Sequence, residues 1–179
     1  MRGKRSWQGV VLAAAAGALL AGCGGPKMPS SVRHPLMNTA APVFEAEAMG
    51  TREVGVPGDY LTRVIVVDFW ASWCAACTVS MPALDALFRE RQADGVMVIG
   101  VSVDDSAGAA MRMARQTGTT FPIVMDPDQR LASEYGVSQV PLTFVIDGNG
   151  TVRWVGNDPG QARRAAEILL SEGRMPVLQ

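Results

Sequence analysis

The sequence predicts an α/β domain, a central mixed sheet with helices on both faces. Three observations carry that expectation. Two short runs rich in Val and Ile, at 64–70 and 96–103, read as buried strands. Each is followed by a segment of helical spacing. The tetrapeptide Asp147-Gly148-Asn149-Gly150 is a strong hairpin turn, so the chain closes on an antiparallel strand pair before its last helix.

Taken in order, 41–46 predicts a short edge strand or hairpin. The stretch 50–58 is punctuated by Gly55, Pro57 and Gly58 and predicts turn. The central strand 64–70 is apolar on both faces except for Asp68, as expected where a sheet is covered on both sides. A helix over 75–92 carries Leu84, Leu87 and Phe88 on one side. Pro82 inside it removes one backbone hydrogen bond and crowds the Thr78 carbonyl. Asp94-Gly95 ends that helix and 96–103 is the next buried strand. Asp104, Asp105 and Ser106 supply cap chemistry for a helix over 107–117, closed by Gly118. A strand at 121–125 follows. Asp126-Pro127-Asp128 opens a helix ending near Tyr135-Gly136. Val140-Pro141 precedes strand 142–146, and 151–155 is its hairpin partner. Asp158-Pro159 starts the final helix, which has Ala162, Ala165, Ala166 and Leu169 on one face and stops at Gly173.

Hydrophobic residues make up 48% of the chain and its net charge is −1, which fits a globular core and argues against a basic nucleic-acid surface. The N-terminus reads as a targeting segment. Arg2, Lys4 and Arg5 precede an apolar stretch at 10–20 that falls short of the ~20 residues a membrane span needs. It ends in Leu20-Ala21-Gly22-Cys23, which resembles a bacterial lipobox. The expected division is a signal peptide at 1–22, a lipidated tether at 23–40 beginning with Cys23, and a folded domain at 41–179. A plain signal peptide with a coincidental cysteine is the alternative. The Pro- and Gly-rich tether would span roughly 20–25 Å as a coil, with His34 solvated in it.

Cys74-Ala75-Ala76-Cys77 stands at the junction of the central strand and its helix. A helix N-terminus offers unpaired N–H groups and the positive end of the dipole. Both favour a thiolate, the species that attacks disulfides. Two intervening residues put Cys77 about one turn from Cys74. A zinc site would need two further ligands, and only Cys23 and His34 are available, both distant in sequence. No metal is expected. A purely structural disulfide is the bland alternative. Dithiol–disulfide exchange fits better, with Trp70 and Trp73 beside the pair.

The segment Asp68-Phe69-Trp70-Ala71-Ser72-Trp73-Cys74-Ala75-Ala76-Cys77 resembles the active-site segment of the thioredoxin superfamily. Pro82 stands where that family has a helix-kinking proline, and Val140-Pro141 where it has a cis-proline facing the disulfide. Over residues 40–172 the chain most resembles TlpA-like and ResA-like membrane-anchored thiol–disulfide oxidoreductases, including their Ala-Pro-x-Phe start at Ala41-Pro42-Val43-Phe44. The resemblance implies a thioredoxin-like fold with a TlpA-type helix–strand insertion at about 106–125. It implies an enzyme with no cofactor beyond the redox-active Cys74–Cys77 pair. Cys74 is the expected nucleophile and Cys77 the resolving cysteine. Asp68, inside an apolar run, should have a raised pKa and could take the proton from Cys77. Trp73, Val140 and Pro141 would contact substrate.

The implied partners are an exported protein with a disulfide or dithiol, such as one in cytochrome c maturation, and a membrane thiol transporter as electron donor. The expected state is an extracytoplasmic, lipid-anchored monomer. Ala75-Ala76 replaces thioredoxin's Gly-Pro, so reduction and oxidation or isomerisation both stay open. A thiol peroxidase is disfavoured because Ala71 stands where such enzymes commonly have Thr. A non-catalytic binding module is the remaining alternative.

Overall fold

All seven residues of β3 (Val64–Trp70) are buried, in a computed structural model that describes residues 26–50 and 53–174. Alternate side chains of β3 enter two separate cores, because successive residues of a strand point to opposite faces. Val64, Val66 and Trp70 join one, and Ile65, Val67 and Phe69 the other. Parallel neighbour β4 (Val96–Ser102) alternates in the same way, Val96 and Val98 against Met97, Ile99 and Val101. The five-stranded sheet is completed by β5 (Ile123–Met125), β6 (Leu142–Ile146) and β7 (Val152–Gly156) in the order β5-β4-β3-β6-β7. β5 runs parallel to β4, and β6 and β7 are antiparallel to their neighbours.

The first face is covered by α1 (Cys77–Arg91), α2 (Ala107–Thr117) and α4 (Pro159–Arg174). The helix faces read from sequence turn to the core: Leu84 and Leu87 of α1 are buried and Phe88 is half-buried, and Ala162, Ala165, Ala166 and Leu169 of α4 are buried. The second face is covered by a hairpin of β1 (Phe44–Glu47) and β2 (Glu53–Val56), with α3 (Arg130–Glu134) and an aromatic group of Phe44, Phe69, Tyr135 and Phe144. The α/β class, the mixed sheet and helices on both faces are therefore present as expected.

Three local expectations change. Residues 53–56 form β2 rather than turn, since pairing with β1 buries Val54 and Val56. The helix expected from 126 begins only at Arg130. Asp126 accepts hydrogen bonds from the Leu131 and Ala132 amides, and Gln129 turns the chain with φ 55°. The third change is the tether. Residues 28–40 are packed onto the domain along the outer edge of β7. Val32 N–H donates to the Val155 carbonyl and Asn38 N–H to that of Val152, while Val152 N–H donates to Thr39. The Ser31 hydroxyl donates to the Val155 carbonyl and accepts from its amide. Trp154 Nε1 donates to the Ser30 carbonyl. His34 is half-buried, edge-on to Phe144 at 5.2 Å, and its Nδ1 accepts from the Leu36 amide. The folded unit thus begins near Met28, which packs against the first core. An irregular strap that satisfies a strand edge has no periodicity, so its composition resembles that of a linker. Residues 1–25, including the expected signal and Cys23, lie outside the described residues.

Two substitutions test this packing. At Gly100 a Cβ would meet Phe121 Cε2 and Trp70 Nε1, both at 2.8 Å, between buried aromatic rings. Gly100→Ala should lower stability by ~1–3 kcal/mol in thermal unfolding; an unchanged melting temperature would show that the rings yield freely. Ser31→Ala should cost about 1–2 kcal/mol, because it removes both hydroxyl hydrogen bonds to Val155 and leaves the Val155 amide without its acceptor. A tether residue would show no effect.

Candidate active site

β3 delivers the chain to the site at its C-terminal end. Beyond Trp70 the backbone turns, with the Cys74 amide donating to the Ala71 carbonyl at 3.1 Å. Cys74 and Cys77 form a disulfide with their Cα atoms 5.3 Å apart. Cys77 is the first residue of α1, and Cys74 lies just before it. Cys77 is fully buried and Cys74 is 6% exposed, so Cys74 is the more accessible of the two. The Cys77 amide donates to Cys74 Sγ at 3.2 Å. This first amide of the helix, with the dipole behind it, favours negative charge on that sulfur.

Trp73 is 71% exposed and Val79 70% exposed, one before and one after the disulfide. Trp73 is therefore exposed rather than core, whereas Trp70 and Phe69 are fully buried. Val79 escaped the sequence reading, although an apolar β-branched residue on the helix phase away from Met81 and Leu84 was a usable signal. A cavity of about 470 Å³, lined by residues such as Thr62, Asp147 and Leu170, lies at the opposite end of the sheet. The disulfide lies between the exposed apolar side chains of Trp73 and Val79, which suits a protein substrate better than an enclosed small molecule.

Asp68 is fully buried and shares the β3 face of Val66 and Trp70, the core to which Cys77 also belongs. Thr143, its partner across the β3–β6 register, donates to Oδ1 at 2.7 Å. Oδ2 is buried without a protein partner. Burial raises the Asp68 pKa to about 7, with the Thr143 hydrogen bond acting in the opposite direction. The carboxyl thus titrates close to neutrality.

The same register pairs Phe69 with Leu142. One step further along, Pro141 falls opposite Trp70, which brings Val140 and Pro141 to the sheet end that carries the cysteines. The Val140–Pro141 bond is cis, as the resemblance implied. Val140 is half-buried and packs against both cores. Among the described residues no group of three or more His, Cys, Asp or Glu side chains is placed to hold a metal ion.

Asp104, Asp105 and Ser106 are the residues expected to supply cap chemistry for α2. The α2 cap is Ser106, whose hydroxyl accepts from the Ala109 amide. Asp104 is instead buried against the cysteine loop. Its Oδ2 accepts from the Ser72 amide and its Oδ1 from the Ser72 hydroxyl, both at 2.8 Å. A usable signal was its position just beyond a strand parallel to β3, since both strands then end at the same edge.

The AhpC/TSA family profile matches residues 37–155. Similar curated proteins include the thiol-disulfide oxidoreductase ResA of Geobacillus thermodenitrificans, 33% identical over 117 residues that cover 65% of this chain and 67% of that one. The thiol:disulfide interchange protein HelX of Rhodobacter capsulatus is 31% identical over 126 residues, 69% of each chain. Among solved structures, a protein described as thiol:disulfide interchange protein DsbE of Chlorobium tepidum has a TM-score of 0.68 at 30% identity, covering 76% of this chain and 97% of that chain. The site geometry and these likenesses agree, and the chain belongs to the AhpC/TSA family as a thiol–disulfide oxidoreductase of thioredoxin-like fold.

Proposed function

We propose that this protein reduces disulfides of exported proteins on the outer side of a bacterial membrane, as in the maturation of cytochrome c. The observation that carries the reading is the Cys74–Cys77 disulfide at the start of α1, with Cys74 the more accessible of the two and exposed Trp73 and Val79 on either side in the chain. In the reduced enzyme the Cys74 thiolate attacks one sulfur of the partner disulfide. A mixed disulfide forms and the first partner sulfur leaves as a thiolate. Cys77 gives its proton to Asp68 and attacks Cys74 Sγ, so the second partner sulfur leaves. The partner gains two electrons and the Cys74–Cys77 disulfide closes. A membrane thiol transporter returns the electrons. Val140 and Pro141 align an extended partner segment beside the cysteines, a short β-augmentation. No cofactor beyond the cysteine pair takes part, and the enzyme acts as a monomer.

Residues 1–22 serve as the export signal and Cys23 as the lipid attachment point. Because the chain is docked from Met28, only about five residues separate the anchor from the domain, at most about 18 Å when extended. The domain is then held close to the bilayer surface.

The Cys77 amide donating to Cys74 Sγ stabilises the reduced form, which is the observation favouring the opposite direction, thiol oxidation or isomerisation. Reduction potential decides between them, measured against thiol buffers by tryptophan fluorescence with Trp73 beside the pair. A value near roughly −270 mV is expected for the reductase. A value near about −120 mV would assign oxidation, and no reversible transition would remove exchange altogether.

Asp68 supplies a pH test. Its folded-state pKa of about 7 lies above its ordinary 3.8, so the folded protein binds this proton more tightly than the unfolded chain. The stability linked to it is full below about pH 4 and is lost as pH rises through about 7. Asp68→Asn should therefore be more stable than the parent above pH 7, by up to ~4 kcal/mol, and no different near pH 3. The same variant should resolve the mixed disulfide roughly a hundredfold more slowly in quenched-flow assays. Parent-like resolution would place the proton acceptor elsewhere.

A further inference from the structure

We infer that Asp104 is a positioning residue for the exchange reaction, holding the nucleophile loop through Ser72. The inference rests on the exchange reading above and concerns the same site. The β3–β4 ladder pairs Trp70 with Ser102 and ends in one last bond, from the Val103 amide to the Trp70 carbonyl at 3.0 Å. Beyond it the two chains diverge, and Ala71 to Cys74 leave the sheet. Asp104 takes over where the ladder stops. Its carboxyl accepts from the Ser72 amide and hydroxyl, and Oδ2 also accepts from the Ser102 hydroxyl at 2.9 Å. Ser102 Oγ in turn accepts from the Asp104 amide at 3.3 Å, which closes the arrangement on itself.

Asp104 is 4% exposed, so these bonds work away from competing water. A side-chain carboxyl thus does what the next strand residue would otherwise do, and it does so two residues before Cys74. The loop is held at both ends, by Asp104 at Ser72 and by the Cys74 amide on the Ala71 carbonyl. Trp73, exposed between these two points, and Cys74 Sγ inherit their positions from that hold. Displacements of about 1 Å at a reacting group can cost a hundredfold in rate, so the arrangement bears on catalysis as well as on folding. Asp104 touches neither sulfur in this scheme.

The test uses the full-length chain, reduced, with glutathione disulfide as the probe. The parent should react, and Cys74→Ser should not; that pair of results checks the exchange reading independently of Asp104. Asp104→Ala should then slow the reaction of Cys74 roughly tenfold or more. Asp104→Asn should stay within about threefold of the parent, because its amide oxygen still accepts from the Ser72 N–H. Ser72→Ala, which keeps the amide bond and loses the hydroxyl bond, should fall between them. Asp126→Ala is the control for general loosening: Asp126 is similarly buried and its carboxyl accepts from two α3 amides rather than from the cysteine loop, while its own amide bond to the Ser102 carbonyl survives the substitution. It should react at the parent rate. Asp104→Ala at the parent rate, or Asp126→Ala slowed as much as Asp104→Ala, would overturn the inference. If Asp104→Ala does not fold, Ser72→Ala decides alone, by a loss of about threefold or by no loss.

Discussion

Burial of β3 on both faces is the constraint from which the site follows. Its six apolar residues each contribute roughly 1.5–3 kcal/mol of transfer free energy, which outweighs the ~4 kcal/mol needed to hold Asp68 ionised among them. The strand can therefore carry a carboxyl in its interior. It also delivers Trp70 to a sheet end where β4 and β6 converge, and the candidate site residues sit within a few residues of that end. Cys74 and Cys77 come from β3 and α1, Asp104 from the exit of β4, and Val140, Pro141 and Thr143 from the approach and body of β6.

The two charges that matter to the chemistry are treated in opposite ways. At Cys74 the first amide of α1 and the helix dipole favour the anion. At Asp68, burial favours the neutral acid, and the single hydroxyl donor, Thr143, only partly opposes it. A sulfur whose anion is favoured and a carboxyl that can take up a proton near neutrality, in the same core as Cys77, are complementary requirements of the two-step exchange proposed above. A single strand-to-helix junction meets both, because its tip is at a helix start and its shaft lies in the core.

Both edges of the sheet are occupied. The strap along β7 pairs with its outer groups, and the Met49 amide donates to the Ile123 carbonyl at the β5 side. An unpaired edge invites association with other chains. The end carrying the disulfide presents Trp73 and Val79 instead, both exposed.

The pattern of apolar residues determined the α/β class, the order of strands and helices, both buried faces of β3 and the cysteine pair, because period-2 and period-3.6 burial and cysteine spacing are local properties of the chain. Asp68 was legible too, as the one carboxyl inside an apolar run. The strap, β2 and the role of Asp104 were not. Each is defined by a partner far away in sequence: Ser31 by Val155, Val54 and Val56 by the opposite hairpin strand, Ser72 by Asp104. An aspartate followed by Asp105 and Ser106 looks like cap chemistry until the parallel pairing of β3 and β4 places the two strand ends side by side. Local preference decides which segments form elements. Only the tertiary packing decides which polar groups meet, since hydrogen bonds between distant residues leave no periodic trace in the chain.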